Sequence, residues 1–71
     1  RDFRKYVFDI TETSQSNFNL PQDMMGKKII LTYNGLKLIE DSDYILSPTT
    51  LTIINSNLDP DDTLEAIYLS A

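Results

Sequence analysis

The sequence predicts an all-β fold, a small antiparallel β-sandwich or partly open barrel of about six to seven short strands. Three observations predict it. Apolar residues recur at alternate positions in short runs, turn formers interrupt those runs about every 8 to 12 residues, and no stretch sustains a 3.6-residue period between breakers.

The first strand is expected from Phe3 to Ile10, where Tyr6, Phe8 and Ile10 alternate with Val7 and Asp9. Aromatic and β-branched side chains at period two suit a strand with one buried face. The polar run 11–16 then turns. Asn17-Phe18-Asn19-Leu20 alternates again and stops at Pro21, which has no N–H to give to a ladder. Residues 22–26 form at most one loose turn.

The strongest local signal spans Lys28 to Ile39. Asn34-Gly35 between two alternating apolar runs is the preferred type I′ hairpin turn, because both central residues need positive φ. A two-residue loop fixes the register, so Tyr33 faces Leu36, Thr32 faces Lys37, Leu31 faces Leu38 and Ile30 faces Ile39. Ile29, Leu31, Tyr33, Leu36 and Leu38 are the expected core face; Ile30 and Ile39 point the other way.

Glu40-Asp41-Ser42-Asp43 reads as an acidic turn into a strand at Tyr44-Ile45-Leu46. Residues 47–50 turn into Leu51-Thr52-Ile53-Ile54, and the segment from Asn55 to Asp62 is a loop dense in turn formers. The last strand, Thr63 to Leu69, sets Leu64, Ala66 and Tyr68 on one side and Glu65, Ile67 and Leu69 on the other. With no repeat and no low-complexity linker, residues 1–71 read as a single β domain. The opening Arg1 suggests a fragment of a longer chain.

Composition excludes several chemistries. There is no Cys and no His, so thiolate or imidazole metal sites, disulfides and Ser-His nucleophiles are unavailable. Six basic residues all fall within the first 37 positions beside four acids, while the remaining 34 carry seven acids and no base. No contiguous basic stripe exists to neutralise phosphates, which argues against nucleic-acid binding. No apolar run approaches the roughly 20 residues that span a bilayer, so membrane insertion is not expected either.

The ordered pieces carry a family resemblance. Tyr6-Val7-Phe8, Ser14-Gln15-Ser16, Phe18-Asn19-Leu20-Pro21, the strand running into Asn34-Gly35, Asp43-Tyr44, Thr49 to Ile53, and Asp61-Asp62 leading the last strand stand in one order. Together they resemble a small β-sandwich domain of bacteriophage tail-fibre and other virion structural proteins, over nearly the whole chain. Two positions depart from the pattern: Ser14 where the family often has Gly, and Asp61 where Gly commonly precedes Asp. The resemblance implies a structural or attachment module of a virion appendage, tail fibre or baseplate, assembled in the host cytoplasm. Its implied partners are other virion proteins or sister chains, in some cases as a homotrimer. It implies no catalytic residue and no cofactor. A capsid decoration module and a domain recognising a host surface glycan are the competing expectations.

Each candidate site has a plainer account. The acidic clusters 40–43 and 59–62 are oxygen-rich enough for a hard cation, yet turn formation explains the same letters and no EF-hand spacing is present. Paired carboxylates for glycoside chemistry need a cleft that so small a domain offers poorly. Tyr44, with Tyr6, Tyr33 and Tyr68, offers sugar-stacking surface, but three of the four share the inward parity of the core. The surplus that stands out is apolar residues on supposed outer faces: Ile30, Ile39, Ile54, Ile67 and Leu69. They are either covered within the sandwich or form an interface.

Overall fold

A computed structural model describes residues 2–69. Seven strands form in it: β1 (Phe3–Phe8), β2 (Asn17–Asn19), β3 (Ile29–Tyr33), β4 (Leu36–Lys37), β5 (Tyr44–Leu46), β6 (Thr50–Ile53) and β7 (Leu64–Leu69), with one 3-10 turn at Gln22–Met24. They make two sheets, a four-stranded one in the order β1-β7-β3-β4 and a three-stranded one in the order β2-β6-β5. Every pairing between these strands is antiparallel. The architecture is therefore a small β-sandwich.

The hairpin forms as the turn chemistry demands. Asn34 and Gly35 take φ of 49° and 86°, both positive as a type I′ turn needs. Tyr33 pairs with Leu36 and Thr32 with Lys37. The Leu38 N–H donates to the Leu31 carbonyl at 2.8 Å, one bond past the end of β4, and Ile39 then enters the reversal closed by Ser42 and Asp43.

The two sheets meet over alternating side chains. Phe8, Leu31, Leu64, Ala66 and Tyr68 come from the larger sheet, and Phe18, Tyr44, Leu51 and Ile53 from the smaller, all buried. Phe8 and Phe18 touch edge to face across the layers, with ring centroids 5.5 Å apart. Leu31, Leu51 and Leu64 are wholly buried. Full burial of such a side chain stabilises by about 1.5–3 kcal/mol relative to exposure.

Three details differ from the sequence reading. The first strand ends at Phe8, and Ile10 enters the core from the connecting segment instead. Leu36 is not a core residue: it is 70% exposed. It has the inward parity, but it sits beside the turn on a two-residue edge strand, where no layer lies over it. The segment after Pro21 is a 3-10 turn that drives Met24 into the core with no exposed surface. Leu58, in the long loop, is likewise buried. Met24 and Leu58 supply core area that the short strands lack.

A candidate docking face

The outer face of the four-stranded sheet follows from parity and register. Leu64, Ala66 and Tyr68 of β7 are buried, so Glu65, Ile67 and Leu69 point outward. Their partners on β1 are Val7, Lys5 and Phe3; on β3, Ile67 pairs with Ile30 and Glu65 with Thr32. Across the sheet, Lys5, Ile67 and Ile30 therefore form one row, with Phe3 and Leu69 on one side of it, and exposed Ile39 follows β4 with the outward parity. Val7, Glu65, Thr32 and Lys37 form the row on the other side. Phe3 is 77% exposed, Ile39 63% and Ile30 47%. Lys5 Nζ lies 3.4 Å from Glu65 Oε2, a surface pair worth up to about 1 kcal/mol.

Four of the five apolar residues singled out from the sequence thus share this face: Ile30, Ile39, Ile67 and Leu69. Ile54 does not belong with them. It is half-buried beyond the end of β6 and lines a cavity of about 140 Å³ with Tyr33, Leu38 and Asn57. That volume falls well short of the roughly 300–1,000 Å³ of ordinary ligand pockets. Phe3 and Val7 join the face although the sequence reading had used β1 only for its inner side; their signal was the same parity as Lys5.

The outer face of the three-stranded sheet has another character. Asn17 and Asn19 alternate with buried Phe18, and they pair with Thr52 and Thr50. Thr52 Oγ1 donates to Asn17 Oδ1 at 3.1 Å. Ile45 is the exposed apolar residue there, and none of these five side chains is charged.

One acid from each cluster is tied into a turn, Asp43 in the first and Asp62 in the second. Asp43 accepts a hydrogen bond from the Ile39 N–H at 2.8 Å and closes the 39–43 reversal. Asp62 does more. Its carboxylate accepts from the Tyr33 hydroxyl at 2.8 Å, from Asn34 Nδ2 at 3.1 Å and from the Asp59 N–H at 2.9 Å. Asn34 Oδ1 in turn accepts from the Thr63 N–H at 2.7 Å, and the Asn34 N–H donates to the Thr63 carbonyl at 2.8 Å. The hairpin tip is clasped to the loop before β7. Bonds from Asn34, Tyr33 and Asp59 hold the Asp62 carboxyl below its ordinary value, and the bond to Asp62, with burial, raises the Tyr33 hydroxyl. No group of three or more acidic side chains is placed to hold a metal ion among the described residues.

None of the four tyrosines is fully exposed, Tyr6 being half-buried. Tyr44 and Tyr68 are buried and Tyr33 is half-buried. Burial, followed by the nearby Glu40 and Asp41 charges, raises the Tyr44 hydroxyl. Burial first, then the 3.0 Å hydrogen bond it donates to Asp23, raises that of Tyr68. Comparison with protein-family models, with curated proteins and with solved structures finds no match to this chain.

Proposed function

We propose that this chain is a non-enzymatic structural and attachment module of a bacteriophage virion appendage, a tail fibre or baseplate, acting by docking a neighbouring surface. The observation that carries the reading is the outer face of the four-stranded sheet. It gathers Phe3, Val7, Ile30, Ile39, Ile67 and Leu69 on rigid hydrogen-bonded strands. Exposed apolar side chains gathered on one face, here around the Lys5–Glu65 ion pair, mark an interaction site. Docking through a preformed sheet costs little ordering entropy, which suits a part that spaces or orients its neighbours.

The motif order supplies the virion context. Ser14, which stands where the resembling domains often have Gly, has φ 58°, a conformation Gly adopts freely. Asp43 and Asp62, from the two acidic clusters that competed for a chemical role, are engaged in turns, which favours the mechanical reading over a catalytic one.

Antibodies against the folded chain are expected to label an appendage of intact particles by immunogold microscopy. Particles left unlabelled by antibodies that bind the free protein in the same preparation would overturn the virion assignment.

A further inference from the structure

We infer that the occupant of this face is a second copy of the chain, packed face to face about a two-fold axis that runs along the strands between β7 and β3. The inference rests on the docking role proposed above and adds its partner and geometry.

Size is the first support. Four strands spaced about 4.8 Å apart, with up to six residues rising about 3.3 Å each, present a face on the order of 20 Å by 20 Å once side chains are included. Covering it removes roughly 400–600 Å² per copy, about a tenth of the 4785 Å² accessible surface, the usual share for a small protein's interface. The area is that of a weak or transient encounter, so association is sought from micromolar to millimolar concentration.

Charge is the second. The chain carries a net charge of −5, so two copies repel at most approaches. The strands of this face present Lys5 and Lys37 against the single acid Glu65, which makes it a side on which like molecules meet without acid facing acid.

Register is the third, and it selects the axis. A two-fold symmetric interface requires that residue i meet j wherever j meets i. With the axis between β7 and β3, each Ile67 lies over the partner copy's Ile30. Val7 lies over Lys37 and Glu65 over Thr32. An axis across the strands through the Lys5–Ile67–Ile30 row instead stacks Lys5 on Lys5, setting like charge on like charge.

Sedimentation equilibrium from about 1 µM to about 1 mM reads the association directly. The expected result is a monomer–dimer equilibrium that Ile30→Asp and Ile67→Asp each weaken at least about tenfold, or about 1.4 kcal/mol. Ile45→Asp on the opposite face should leave it unchanged. Circular dichroism checks that each variant is folded, and Phe3→Asp, at a more exposed edge position, replaces either one that is not. Wild-type protein that stays monomeric, a trimeric end state, or equal weakening by Ile45→Asp overturns the inference. None of these outcomes alters the immunogold result, so the two readings fail separately. The axis has its own test, because the chain has no cysteine of its own. A thiol cross-linker should join Ile30→Cys to Ile67→Cys faster than either variant to itself, and equal rates would overturn that geometry.

Discussion

The two sheets are alike inside and unlike outside. Inward, both present fully buried leucines, Leu31 and Leu64 on one and Leu51 on the other. Outward, the smaller sheet shows a flat, uncharged array of asparagine and threonine around Ile45, whereas the larger shows isoleucines, Phe3 and Leu69 beside three charges. Folding requires only the inner faces. An outer face that stays apolar at a cost in solubility points to something other than folding, and the Asn/Thr face shows that the same fold tolerates a polar exterior.

The sharpest way to probe the shared interior is to remove one leucine from each layer. Leu31→Ala and Leu51→Ala should each cost about 2–5 kcal/mol in urea unfolding. A domain of this length has about 4–10 kcal/mol in total, so either variant is brought close to unfolding. A cost below about 1 kcal/mol for either would show that its layer does not belong to the shared core.

A smaller difference should separate the hydrogen bonds that finish each sheet. Asn34→Ala removes both side-chain bonds of the clasp and leaves a Cβ residue without local partners at positive φ. Its expected cost is about 2 kcal/mol. Thr52→Val on the smaller sheet deletes one exposed bond to Asn17 and should cost about 0.5 kcal/mol or less. Equal losses would mean that the clasp contributes nothing beyond the turn.

The gentlest probe is acid. The folded-state value of Asp62 lies below its unfolded value, so the unfolded chain binds the proton first as pH falls. The carboxylate's contribution is complete above about pH 4 and is lost as pH drops through the folded value. Between about pH 6 and about pH 3, the melting temperature of the wild type should fall further than that of Asp62→Asn. Parallel curves would remove Asp62 from the account of the clasp.

Much of the fold was legible because its signals are local. Asn34-Gly35 fixes a turn by the φ values it permits, and the turn fixes which of Ile30 and Leu31 faces inward. Alternation does the same for Leu64, Ala66 and Tyr68. What could not be read depends on partners distant in sequence. Leu36 has the right parity and no layer above it; Met24 and Leu58 are buried by the approach of other segments. The candidate face was legible in four of its residues, but Ile54 shares their outward parity and lies just past the end of β6, and only its place beside the other sheet separates it from them. The clasp joins Asn34 to Asp62 across 28 positions, a separation that no periodicity spans.

One register pair has a mechanical consequence. Phe3 lies opposite Leu69 on neighbouring antiparallel strands, so the two flanks of the sandwich leave it side by side. In a longer polypeptide such a unit would hang as a bud from the main strand instead of forming a link in series. Tension on its flanks would part β1 from β7 like a zipper, one rung after another.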